Sequence, residues 1–134
     1  MKKVIILLLT ITLFNACSSD KLEISEAKKA AENLIQELDK GNYNNLATYF
    51  TDNYNAAESS EKLIEKYKKL KDILGTVTSV LLTDSVLEEK TGEESKWVLT
   101  YVVQHTKINS QEIFSVVKEG DAYKVADHSV ESKN

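Results

Sequence analysis

Lys96-Trp97-Val98-Leu99-Thr100-Tyr101-Val102-Val103-Gln104-His105-Thr106 is the stretch on which the fold turns. Trp97, Leu99, Tyr101, Val103 and His105 alternate with Val98, Thr100, Val102, Gln104 and Thr106, a period of two that belongs to a β-strand. Both sets contain apolar residues, but the bulkier ones lie on the Trp97 side. Large aromatic side chains gain most from burial, so helices are expected to cover that side.

Working outward, the same period continues in both directions. Upstream, TVTSVLLTDSVLEE (76–89) is rich in β-formers, with Val80, Leu82 and Val86 expected on one face and Leu81 and Leu87 on the other. The turn Thr91–Glu94 joins it to the Trp97 strand. Downstream, Asn109-Ser110 reads as a turn, EIFSVV (112–117) as a strand, Gly120-Asp121 as a tight hairpin and AYKVADHSV (122–130) as the last strand. Connections this short make an antiparallel meander the economical topology.

Before Thr76 the period is helical. In SEAKKAAENLIQELDKG (25–41), Ser25 is placed to cap a helix, Ala27, Ala30, Ala31, Leu34, Ile35 and Leu38 make an apolar stripe, and Gly41 supplies a left-handed stop. A shorter helix is expected in NYNNLATYFTDNY (42–54), with Tyr43, Leu46, Ala47 and Phe50 on one face. A third runs through SSEKLIEKYKKLKDILG (59–75), capped by Ser59 or Ser60, with Leu63, Tyr67, Leu70 and Leu74 inward and its lysines largely in solvent. Helices followed by strands give the α+β class, with the helices packed on a four-stranded sheet.

The first residues have a different logic. Met1-Lys2-Lys3 is positively charged, Val4 to Phe14 is an uncharged apolar run, and the small Ala16 precedes Cys17. That order is the signature of a secretory signal peptide, and eleven residues fall well short of the roughly 20 that a spanning helix needs. The stretch resembles the lipobox of bacterial lipoproteins, carried here by Ala16 and Cys17 with leucine at Leu13. The resemblance implies cleavage between Ala16 and Cys17, acyl chains on Cys17, and a place at the cell envelope, on the periplasmic or outer face of an outer membrane. Each buried methylene contributes about 0.8 kcal/mol, so several chains anchor where one is marginal. Residues 1–16 are then a signal peptide, 17–24 the lipidated cysteine with a short tether, and 25–134 a single domain.

Removing residues 1–16 leaves 118 residues and takes the formal charge from −4 to −6, because Lys2 and Lys3 leave with no acid. All 17 basic residues are lysines. An acidic domain without arginine lacks the planar fork that grips phosphates and guanine edges, which excludes nucleic-acid binding. The glycines are too scattered to cradle a phosphate. Two histidines and an anchored cysteine offer no zinc spacing, so neither metal nor cofactor is expected.

The helix, short helix, helix and meander resemble the cystatin-like cone shared by nuclear transport factor 2 and ketosteroid isomerase. The resemblance covers Ser25 to Val130. It rests on AKKAAENLIQELDKGNYNNL (27–46), on Gly75 before the first strand, and on FSVVKEGDAYKVADHSV (114–130), where Tyr123 stands for the usual tryptophan. It implies a cone whose interior could be a pocket. The candidate lining is Tyr54, Trp97, Tyr101 and Phe114 with Asp84, a carboxylate that burial would make a base. His105 and His128 lie near strand ends, where they could meet each other or Asp127 as an acid–base pair. The plainer reading makes the aromatics core, Asp84 part of a strand bulge, and both histidines surface residues.

Three functions follow as expectations. The first is a non-catalytic, lipid-anchored domain that binds an envelope protein or a small hydrophobic ligand. The second is a small isomerase or cyclase that uses the cone cavity. The third is an acidic inhibitor or immunity-type protein that docks on a basic partner.

Overall fold

A computed structural model describes residues 21–133. The signal segment, Ala16 and Cys17 lie outside the described residues. The chain runs through α1 (Ile24–Lys40), a 3-10 turn (Tyr43–Tyr49), α2 (Asp52–Ala57), α3 (Ser60–Leu74) and four strands, β1 (Val77–Glu88), β2 (Lys96–His105), β3 (Asn109–Glu119) and β4 (Ala122–Lys133). The strands form one sheet in the order β1-β2-β3-β4, every neighbouring pair antiparallel. The expected α+β meander is the fold. Among the described residues no helix is long and apolar enough to cross a membrane.

The helices lie on the Trp97 side of the sheet. Ala27, Ala31 and Leu34 from α1, with Leu46, Phe50, Leu63 and Tyr67, bury against Leu99, Tyr101, Val103, Phe114, Val116 and Val125. Alanines at 27 and 31 let α1 approach the sheet closely. Gly41 ends α1 at φ 75, a left-handed turn that costs glycine nothing. Ser59 caps α3 by accepting from Lys62 N.

Several local expectations are corrected. The residue before α1 is Glu23, with no side-chain cap, and Ser25 lies inside the helix. Packed chain begins at Leu22, which is buried, inside the segment expected to be tether. The Trp97 Nε1 donates to Leu22 O at 2.8 Å, and Glu23 N donates to the Tyr123 hydroxyl at 2.9 Å. The short helix is a 3-10 turn followed by α2, and Ala47 faces solvent because the tighter winding carries it off the Leu46–Phe50 side. Asn109-Ser110 is already strand β3, and the β2–β3 turn falls at 106–108.

β1 shows the most instructive departure. Val80 pairs with Val103 and Leu82 with Tyr101, yet Ser85 pairs with Leu99 and Leu87 with Trp97, because the register shifts between Leu82 and Asp84. One extra residue in a bulge reverses the parity of everything after it. Leu87 therefore shares the concave face with Val80 and Leu82, while Val86 joins Leu81 on the outer face, the reverse of simple alternation.

Candidate functional site

The concave face divides into a closed middle and an open pole. The pole lies where the C-terminal turns of α1 and α3 meet the start of β1 and the end of β2. Gly75 leads the chain from α3 into β1 at φ 89, and a Cβ there would collide with the Thr106 side chain. Only glycine allows this close crossing, which brings Leu74 and Val77 to the pole. A small pocket opens there, with a cavity volume of about 50 Å³. Its walls are Ile35, Leu38, Leu70, Leu74, Val77 and Val130, its polar groups Asp39, Lys71, Tyr67, His105, Glu112 and His128.

The floor is a chain of hydrogen bonds. His128 Nε2 lies 2.8 Å from Glu112 Oε1, and the Tyr67 hydroxyl lies 2.8 Å from His128 Nδ1. The Ser110 hydroxyl donates to Glu112 Oε2 at 2.9 Å. The His128 ring also stacks on Phe114, with ring centres 4.2 Å apart. Burial by itself would push the Glu112 carboxyl up. The hydrogen bond and field of His128, the Ser110 hydroxyl and the field of His105 outweigh it and hold the group below its ordinary value. Tyr67 moves the other way: burial first, then the Tyr54 phenol and the Glu112 carboxylate, hold it protonated. A carboxylate accepts only, so His128 Nε2 donates to Glu112, while the bond between Nδ1 and the Tyr67 hydroxyl takes its direction from the state of the imidazole.

His105 stands at the edge of this floor. Its backbone N donates to Asn109 Oδ1 at 3.2 Å, but its buried Nδ1 has no partner. Buried polar atoms are nearly always satisfied, so this ring nitrogen, shielded from solvent on a residue that lines the pocket, is an exception that calls for an explanation. At the rim, Lys71 Nζ meets Asp39 Oδ1 at 3.3 Å, and Val77 N donates to the same oxygen at 2.9 Å. With both histidines counted as neutral, the pocket's charged side chains are Asp39, Glu112 and Lys71, a net of one negative charge. Among the described residues no group of three or more His, Cys, Asp and Glu is placed to hold a metal ion.

Of the residues singled out in the sequence, Tyr54, Asp84, Trp97, Tyr101 and Phe114 do not gather into one site, although Tyr101 and Phe114 touch, and none lines the pocket. Tyr54 stacks on Phe50 with ring centres 4.3 Å apart. Tyr101 and Phe114 meet edge to face in the closed middle. Trp97 is at the other pole, on Leu22. Asp84 pairs with Thr100 on the outer face, exposed, because the bulge turns it away from the cone. The histidines also differ from the plain reading. His128 is buried, and its acidic partner is Glu112, not Asp127, which is exposed on the opposite face of β4. Glu112 and Tyr67 were not foreseen as site residues. The signal was present: Glu112 stands two residues before Phe114, on the same face of its strand.

No family model matches the chain, and no curated protein matches it. Solved structures do. One is Bd1075 of Bdellovibrio bacteriovorus, TM-score 0.54 at 12% identity, covering 82% of this chain and 40% of that one. Another is a Novosphingobium aromaticivorans protein that its name proposes as a scytalone dehydratase, TM-score 0.53 at 14% identity, covering 82% of this chain and 83% of that one. The present chain thus spans less than half of Bd1075. At such identities the likeness concerns the fold: helices on a curved, four-stranded antiparallel sheet, the cone of the nuclear transport factor 2-like proteins.

Proposed function

We propose that this chain is a lipid-anchored cell-envelope protein whose cone domain binds a small ligand in the pocket at the open pole. The supporting observation is the pocket's division of labour: apolar walls around a polar floor, with His105 Nδ1 unpartnered. Such sites use apolar area for affinity and a few fixed polar groups for orientation. The net negative charge disfavours an anion, so the ligand is neutral or cationic, with a short apolar body and one hydrogen-bonding head.

Three probes with the same body separate these terms: isobutylamine, isobutanol and isobutyrate, titrated while histidine and pocket methyl resonances are recorded. The amine and the alcohol are expected to shift His105, Leu70, Leu74 and Val130 at saturable concentrations, and isobutyrate to be weakest. His105→Ala should weaken the first two. Absence of saturable shifts from all three would sink ligand binding at this pole. The anchor has its own test: intact mass of the protein from envelopes should give a chain beginning at acylated Cys17.

A second reading is favoured by the Glu112–His128–Tyr67 chain, since a carboxylate that orients an imidazole is also a device for proton transfer. It makes the domain an acid–base enzyme of the isomerase or dehydratase kind, the latter being the activity named for the Novosphingobium protein. It predicts exchange of an α-proton of small β-hydroxyketones into deuterated water, lost in His128→Ala and retained in Asp84→Ala.

A further inference from the structure

The two poles of the domain bear different attachments, and their separation can be measured along the chain. Where the described chain begins, Leu22 is buried and held by Trp97, and Glu23 by Tyr123. Trp97 is near the start of β2 and Tyr123 near the start of β4, so this is the pole of the β1–β2 and β3–β4 hairpins. The pocket is at the other end of the same elements. From Trp97 to His105 along β2 is roughly 26 Å at the usual rise of a strand. From Ile24 to Asp39 along α1 is roughly 22 Å at the helical rise. These two independent rulers agree.

Only five residue steps separate Cys17 from Leu22. Fully extended, they span at most about 18 Å. If acyl chains hold Cys17 in a bilayer, Leu22 cannot rise farther than that above it. Turning the pocket pole onto the lipid would lift Leu22 by the length of the domain, which exceeds the tether. We propose that the anchor holds the domain hairpin pole down, with the pocket facing the aqueous compartment, so that the pocket takes a soluble ligand and not a bilayer lipid. The inference rests on the anchored, ligand-binding reading and adds the ligand's source. Ile24, partly exposed beside Leu22, is the apolar side chain this orientation brings nearest the headgroups. The acidic net charge of the chain keeps the rest of the body off an anionic leaflet.

The test bypasses the cell's own lipidation. The chain from Cys17 onward is coupled through that thiol to a maleimide-headgroup lipid in phosphatidylcholine vesicles that also carry a dansyl-headgroup lipid. Trp97, the single tryptophan, is the native energy donor at the hairpin pole. Its transfer to the dansyl lipid is expected to be several-fold more efficient than that from a Trp97→Phe, Lys107→Trp double variant, whose donor is in the turn beside the pocket. Should that variant fail to fold, Lys107→Trp alone still reports, because a distal second donor lowers the mean transfer. A Gly/Ser insert of about 20 residues before Lys21, spanning roughly 25 Å on average, should erase the difference.

Equal transfer from both poles with the native tether, or stronger transfer from position 107, would overturn the orientation. In a separate arm, dihexanoylphosphatidylcholine below its micelle threshold should leave the His105 resonances unmoved while isobutylamine moves them. Saturable lipid binding there would overturn the soluble source. Failure of the anchor reading is distinguishable from both, as absence of acyl mass on Cys17 in cells. Failure of ligand binding is a null titration with isobutylamine.

Discussion

Tyr101 and Tyr67 are both buried phenols over the same face of one sheet, and their surroundings differ sharply. Tyr101 lies in the closed middle, edge-on to Phe114, and its hydroxyl has no hydrogen-bond partner. Tyr67 lies at the open pole, and its hydroxyl is bonded to His128. In the middle the ring supplies area and the oxygen is incidental. At the pole the oxygen completes a chain from Ser110 through Glu112 and His128. One surface thus works as a core in one part and as a polar site in another, and the boundary runs diagonally across the strands, with Tyr101 opposite Glu112 and Phe114 opposite His128.

Glu112→Ala should break this contrast most severely. It leaves the buried Nε2–H of His128 and the Ser110 hydroxyl without acceptors, and an unsatisfied buried group costs roughly 1–3 kcal/mol. Chemical denaturation is expected to show a loss of about 3 kcal/mol, since a charged acceptor is removed. Glu112 also sets the acid limb of stability. Its folded carboxyl is held below the ordinary 4.5, so the unfolded chain binds its proton first as pH falls. The stabilisation is complete above that ordinary value and disappears as pH drops through the folded one. Glu112→Gln, which keeps the shape, should flatten this limb of a melting-temperature profile. An unchanged acid slope would mean that the carboxylate is not held as described.

Tyr67→Phe is the next step down. It leaves His128 Nδ1 without its partner while the stacked rings remain, and a loss of about 1–2 kcal/mol is expected by denaturation. The alkaline limb checks the same bond. Tyr67 is held protonated, above its ordinary 10.0, so its contribution is full below that value and falls as pH rises beyond it. The variant should therefore lose less stability than the parent above pH 10.

Tyr101→Phe tests the other half of the comparison. Burial, and then the field and hydrogen-bonding reach of the Glu32 carboxylate, also raise this phenol, but no hydrogen bond of ordinary geometry is made by its oxygen. The variant should match the parent within about 0.5 kcal/mol at neutral pH. A loss as large as that of Tyr67→Phe would show that the middle carries a hidden polar partner and is not a closed core.

The fold was legible because it depends on periods. The alternation of Trp97, Leu99, Tyr101 and Val103 and the helical stripe from Ala27 to Leu38 each state which side is buried, and the glycines at 41 and 75 state where helices stop. The site was less legible because it depends on pairing between distant elements. His128 finds Tyr67 from α3 and Glu112 from β3 only once the register of the meander is fixed, and no spacing in the chain encodes that register. Reading Tyr54, Asp84, Trp97, Tyr101 and Phe114 as a lining failed for a related reason: large aromatics mark what a cone buries, and burial fills the middle before it leaves a cavity.

Asp84 gives the smallest expected effect and isolates the cause of that failure. Counted by two from Val80 or Leu82, Asp84 falls on the concave side, where a carboxylate would be desolvated and poised for chemistry. The bulge before it adds one residue, and the side chain emerges on the outer face opposite Thr100. An exposed carboxylate there, with its charge screened by water, contributes little. Asp84→Ala should change stability by less than about 0.5 kcal/mol and leave the isobutylamine titration of His105 unaltered. A shift in that titration would mean that the register past Leu82 differs from the one described, since no other route connects the outer face of β1 to a pocket that its inner face reaches only at Val77.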